Sequence, residues 1–303
     1  MSPPLQPLDD HEAISAEVRQ RVARGSTLVS VVVNIVLTVL QLIAGIWAHS
    51  QALVADAIHS LSDLVADFVV LLASRHSRKG PDADHHYGHH RYETAASMVL
   101  GVLLLSVGVG MLWSAVGKLS TPESIPDVKP IALYVAVFTL LSKEFLFRYM
   151  LHAAERVRSS MLVANAWHSR SDAASSLVVA LGIAGNLAGY PVLDAVAALV
   201  VGLLILRMGG QFAWRALDDL MDRAADTEHV QQIEQAVRDT PGVLGFHDLR
   251  TRKMGDLILV DVHIEVQGEQ SVAQAHDIAV AVHQRILACG APVLDVMTHL
   301  DPA

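Results

Sequence analysis

Residues 25–55 read GSTLVSVVVNIVLTVLQLIAGIWAHSQALVA, and these 31 positions contain no Asp, Glu, Lys or Arg. A helix needs about 20 residues to cross the hydrocarbon core of a bilayer, so this run is long enough to span one. It holds a first apolar segment, Leu28–His49, and more follow: Ala52–Ser74, Thr94–Gly117, Pro130–Leu151, Ser160–Leu187 and Val192–Phe212. The second, fourth, fifth and sixth each carry charge, which marks them as bundle helices rather than a smooth lipid-facing sleeve. Lys143 and Glu144 stand side by side in the fourth, where they read as a packing or interfacial feature.

Composition agrees with a membrane protein. Of 303 residues 52% are hydrophobic and only 17% charged, against about 25% charged in a soluble domain. The net charge of −9 lies entirely in the last 86 residues, which hold 15 acidic and 6 basic side chains. No basic face is present, so nucleic acid is set aside as a partner. One cysteine, Cys289, excludes an internal disulfide framework and any multi-cysteine metal site. Sixteen histidines, four of them between His85 and His90, point toward metal.

Residues 1–24 form a polar segment with Pro3, Pro4 and Pro7, then a short helix ending at Arg19, Arg21 and Arg24; it lacks the apolar core of a secretory signal. Basic side chains gather in that segment, in the loop after the second helix (Arg75, Arg78, Lys79, Arg91) and after the fourth (Arg148, Arg156, Arg158). The positive-inside rule then puts both termini in the cytoplasm. The expected organisation is a six-helix transmembrane domain over 25–217 and a cytoplasmic domain over 218–303. In the latter, Thr227 caps a helix ended by Pro241-Gly242, and two strands flank a Gly255-Asp256 turn. A helix over about Ser271–Leu287 and a strand over Val293–Leu300 complete an αββαβ, ferredoxin-like domain.

Asp56, His59, Asp63 and Asp67 are spaced three, four and four apart, a single stripe on one helix face; His168 and Asp172 are four apart in the fifth segment. A charge near the bilayer centre costs at least ~2.5–3.5 kcal/mol, so each needs a partner. One His-Asp pair would serve as an interhelical hydrogen bond. Two matched pairs, His59/Asp63 and His168/Asp172, fall near mid-span on antiparallel helices, and two imidazoles with two carboxylates form a closed tetrahedral set suited to Zn²⁺. Asp56 lies toward the outer mouth and Asp67 toward the inner one. A second constellation is the loop from Asp82 to His90, where Asp82, His85 and His89 are spaced three and four apart, with Asp84, His86 and His90 beside them. A third is spread along the tail: His247, His263, His276, His299 and Asp301.

The segments ALVADAIHSLSD (52–63), DHHYGHHRYE (84–93), WHSRSD (167–172), LMDRA (220–224), GFHDLRTR (245–252), VDVHIEV (260–266), QAHD (274–277) and THLDP (298–302) carry a resemblance to the cation diffusion facilitator family. The chain is most similar to its bacterial ferrous-iron/zinc efflux branch, over nearly its whole length. The resemblance implies a homodimeric metal cation/proton antiporter of the bacterial inner membrane, not an enzyme, with Zn²⁺ foremost as the ion transported and bound, Cd²⁺, Co²⁺ and Fe²⁺ as alternatives, and no organic cofactor. It implies a transport site of His59, Asp63, His168 and Asp172, a loop site of Asp82, His85 and His89, and a two-metal tail site of His247, His263, His276, His299 and a bridging Asp301. An ion pair between Arg91 and Asp222 would lock the dimer. The chain departs from that branch at His59, where Asp is usual, which turns the expected cargo from iron toward zinc. Arg91 replaces the usual Lys. A membrane metalloenzyme would call for a His-Glu-x-x-His helix, and the chain has none; a passive metal sensor would leave the mid-membrane His and Asp without a task.

Overall fold

The computed structural model describes residues 16–121, 127–156 and 160–303. Pro3, Pro4, Pro7 and Arg158, singled out above, lie outside the described residues. Six long helices come first: α1 (Ala16–Trp47), α2 (Gln51–Ser77), α3 (Tyr92–Ser120), α4 (Ile131–Arg156), α5 (Ser160–Leu187) and α6 (Val192–Leu220). Of these, α1 from Arg24, α2, α3 and α6 are long and apolar enough to cross a membrane. The helix expected to stop at Arg24 instead runs on without a break into α1, because nothing between Arg24 and Leu28 breaks a helix strongly.

The chain forms two compact units, one of residues 1–65 and 106–206, the other of 66–105 and 207–303. Within the first, α4 packs along α5, and α1 along α4. Leu146, Phe147 and Met150 of α4 meet Ala166 of α5 in a small apolar core, with Val33 of α1 beside it. The outer faces are apolar too: Leu28, Val32, Ile43 and Ile46 of α1 and Val109 and Trp113 of α3 are exposed. Apolar surface that extensive is rare on a soluble monomer and suits contact with lipid. The start of α2 is capped from another helix: Asp194 of α6 accepts hydrogen bonds from Ser50 Oγ at 2.6 Å, Gln51 N at 2.7 Å and Ala52 N at 3.3 Å. A carboxylate there answers the orphan amides and the positive end of the helix dipole.

In the second unit the tail runs α7 (Thr227–Arg238), β1 (Gly245–Met254), β2 (Leu257–Val266), α8 (Val272–Leu287) and β3 (Val293–Pro302). The sheet order is β1-β2-β3, with β1/β2 antiparallel and β2/β3 parallel. Ile258, Val260, Val262 and Ile264 point to one face, where Ile233 and Val237 of α7 and Val282 and Ile286 of α8 cover them. The alternate side chains of β2 therefore face the other way. Ser271 caps α8 in a reciprocal box with Gln274. Asp226, not Thr227, stands at the cap position of α7, and its side chain makes no capping hydrogen bond.

Close helix contact depends on glycine here. A Cβ at Gly101 of α3 would lie 2.5 Å from the backbone nitrogen of Ala213 of α6. Small residues at such crossings let backbones approach where no hydrophobic drive between helices exists. Gly101→Leu is expected to lose on the order of 1–3 kcal/mol, seen as a lower melting temperature of the detergent-purified protein. An unchanged melting temperature would remove this contact from the determinants of stability.

Candidate metal centres

α2 stacks Asp56, His59 and Asp63 along one face, and α5 brings Asp172 to them. His59, Asp63 and Asp172 each offer a ligand atom within 4.8 Å of the others. His59 Nδ1 lies 3.8 Å from Asp63 Oδ2, beyond hydrogen-bond reach. That nitrogen is buried and has no hydrogen-bond partner among the described residues. Leaving such an atom unsatisfied costs about 1–3 kcal/mol, so a buried bare imidazole nitrogen beside two carboxylates fits a cation ligand. His168 stands exposed on α5, outside the triad.

Asp56 and Lys143 form the part of this region whose pairing the sequence did not reveal. Asp56 is fully buried and accepts from Gln41 Nε2 of α1 at 2.5 Å, Ser176 Oγ at 2.7 Å and Ser175 Oγ at 3.1 Å. Lys143 of α4, 2% exposed, lies 3.7 Å from Asp56 Oδ2. Its charge was visible in the chain, but a helix period cannot tell which of several neighbouring helices a side chain meets. Asp67 is exposed.

In the loop between α2 and α3, Asp82 Oδ1 accepts from the backbone of His85 at 2.9 Å and of Asp84 at 3.2 Å, which shapes the turn. Asp82, His85 and His89 have ligand atoms within 4.8 Å of one another. His89 is buried, and its Nδ1 faces the Gly80 carbonyl at 3.3 Å, leaving Nε2 toward Asp82. Lys79 Nζ sits 2.6 Å from Asp82 Oδ2. That ammonium, with the backbone donors, holds the Asp82 carboxyl well below the usual carboxylate range despite some desolvation. Asp84, His86 and His90 stay outside the triad. Arg91 Nη2 donates to Asp222 Oδ1 at 2.5 Å, both side chains being about half exposed.

The tail places its imidazoles by strand register. His247 pairs with His263 across β1/β2, and His263 with His299 across β2/β3, so three imidazoles form one row on the face opposite the apolar core. Asp301 follows two residues after His299 on the same face. Its carboxylate reaches His263 Nδ1 at 3.0 Å, His247 Nε2 at 3.4 Å and His299 Nε2 at 3.4 Å. A carboxylate among three imidazoles is a donor set suited to Zn²⁺ or a similar ion. A bulge in β1 after His247 turns Asp248, at a φ of 48°, toward His247 and His263, a further candidate donor that alternation along the strand does not anticipate. His276 does not join the row; it is exposed on α8, the layer that covers the other face of the sheet.

Residues 27–221 match the family model of the cation efflux transmembrane domain, and 225–303 that of the cation efflux protein cytoplasmic domain. Metal tolerance protein 2 of Oryza sativa subsp. japonica is 35% identical, over 95% of this chain and 80% of its own length. Manganese efflux system protein MneP of Bacillus subtilis is 29% identical, over 95% of this chain and 98% of its own. The metal-bound C-terminal domain of the CzcD transporter from Thermotoga maritima is 28% identical, covering 25% of this chain and 87% of that one with a TM-score of 0.24. With both domains matched in order, the chain belongs to the cation diffusion facilitator family, multi-pass membrane transporters of metal cations and not enzymes.

Proposed function

We propose that this protein exports a divalent cation, Zn²⁺ foremost, from the cytoplasm across the bacterial inner membrane in exchange for protons. The observation that carries the reading is the buried, unpartnered Nδ1 of His59 beside the Asp63 and Asp172 carboxylates. His168, exposed on α5 outside the triad, supplies the fourth ligand as the site closes on its cargo. All six long helices cross the bilayer in this reading, α4 and α5 turning their polar side chains inward, and both termini are cytoplasmic.

The donor set gives the coupling. The cation needs neutral imidazole and ionised carboxylate, so its arrival releases protons and protonation expels it. Free imidazole titrates near 6.5, inside the range that a proton gradient controls. Imidazole also favours zinc, whereas all-oxygen sites suit manganese; two histidines at the site therefore set this chain apart from a manganese preference. In proteoliposomes with an imposed pH gradient, Zn²⁺ flux should follow the gradient, collapse with a protonophore and vanish in Asp63→Ala and His168→Ala. Zn²⁺ binding without movement under any gradient would make the centre structural and the protein a sensor. His59→Asp should raise Mn²⁺ flux relative to Zn²⁺ flux by about tenfold, in line with ligand hardness; an unchanged ratio would take His59 out of selectivity.

The protein works as a homodimer in which the acidic tail is a metal-responsive clamp, with Arg91 and Asp222 fastening the loop to the head of the tail. His247, His263, His299 and Asp301, with Asp248, hold the tail metals, and Asp82, His85 and His89 hold one in the loop. Bound metal there stiffens one arrangement of the strands. His263→Ala in the intact protein should lower bound Zn²⁺ per chain and flatten the rise of transport with cytoplasmic Zn²⁺. Unchanged stoichiometry and unchanged transport would dismiss the clamp.

A further inference from the structure

Lys143 is a cation buried among membrane helices, next to the cation site. Its Nζ donates to Ser176 Oγ at 2.8 Å, to Ser60 Oγ at 3.1 Å and to the backbone carbonyl of Asp172 at 3.5 Å. Ser60 directly follows His59, and Asp172 is itself a proposed ligand, so the ammonium touches both helices that carry the transport site, at positions next to its ligands. Its charge partner is Asp56, one turn along α2 from His59, at 3.7 Å. The two are linked by more than the direct contact. Ser176 has one hydroxyl proton; donating it to Asp56 at 2.7 Å leaves its lone pairs free to accept from Lys143. Lys143, Ser176 and Asp56 thus form a continuous polar chain across α4, α5 and α2, with Gln41 of α1 closing it.

We propose that Lys143 and Asp56 are positioning residues for transport, a resident ion pair that keeps the net field at the neighbouring site near zero and so tunes how firmly the dication is held. The inference rests on the transport site proposed above. In a low-dielectric layer a single uncompensated charge acts strongly on a doubly charged neighbour. With both members present, the pair contributes little net field. Without Lys143, the Asp56 carboxylate adds a negative charge beside His59, Asp63 and Asp172, and the cation is bound more tightly and released more slowly. Without the Asp56 charge, the ammonium repels the incoming cation. The two losses have opposite signs, and that separates tuning from mere fastening of the helices, since a broken fastening harms both variants alike.

The test is Zn²⁺ flux in proteoliposomes, resolved into KM and kcat, for Lys143→Met, Asp56→Asn and the double variant, with Asp63→Ala as control. Size-exclusion profiles check that each variant is folded. Lys143→Met should lower KM and kcat together, and Asp56→Asn should raise KM, each by about tenfold as one charge acting at effective dielectric ~20 can produce. The double variant, neutral at both positions, should return KM to within about threefold of the native value, a strongly non-additive outcome. Singles that shift KM in the same direction, leave it unchanged, or are not rescued in the double variant would overturn the proposal, and with flux still abolished in Asp63→Ala the transport site itself would stand. Full flux in Asp63→Ala would overturn both.

Discussion

Charge inside an apolar helix layer must be answered by opposite charge or by hydrogen bonds, because no bulk water is there to solvate it. Asp56 is where that demand is most complete. Its carboxylate is fully buried and draws donors from α1 and α5, with the ammonium of α4 close by. Four helices thereby meet around one side chain. The placement of the His59, Asp63 and Asp172 triad follows from this. His59 lies between Asp56 and Asp63 on the α2 face, while Ser175 and Ser176 fix the turn of α5 that follows Asp172. Removing one partner of such a pair leaves the other charge buried and unpaired, which is the costly case.

The tail solves a different problem by a different route. It lies in the soluble-type part of the chain, with an apolar face on β2 that α7 and α8 cover, so its opposite face is open to polar side chains. Strand register then does what helix packing does for Asp172 and the α2 residues: it brings residues far apart in sequence to one level. His247, His263 and His299 align only because β2 pairs antiparallel with β1 and parallel with β3 in this register. A slip of one residue in either pairing would turn one imidazole to the core face and dismantle the row.

The two kinds of centre differ in what a reader of the chain can see. Spacings of three and four within α2, α5 and the Asp82 loop show which residues share a face, and they led to His59, Asp63, Asp172, Asp82, His85 and His89. The alternation in β2 likewise separates Ile258, Val260, Val262 and Ile264 from His263. Such patterns cannot decide exposure. His168 has the same spacing to Asp172 as His59 has to Asp63, yet it stands exposed and outside the triad. The resemblance groups His276 with the tail histidines, but it is carried on a helix that covers the other face of the sheet. Asp248 reached the row through a bulge, a local departure from the period on which strand reading depends.

The six long helices, four of them apolar enough to span a membrane, and the αββαβ tail are legible in the chain, because hydrophobic period and turn chemistry are local properties that act within a few residues. The chain also determined which charges would need partners. Who those partners are is set by the packing of the whole chain: Lys143 for Asp56, Asp194 for the start of α2. These pairings span up to 144 residues of sequence, and they depend on how helices rotate about their axes and how strands register. Those are choices made by packing the whole chain at once, which no window of neighbouring residues contains.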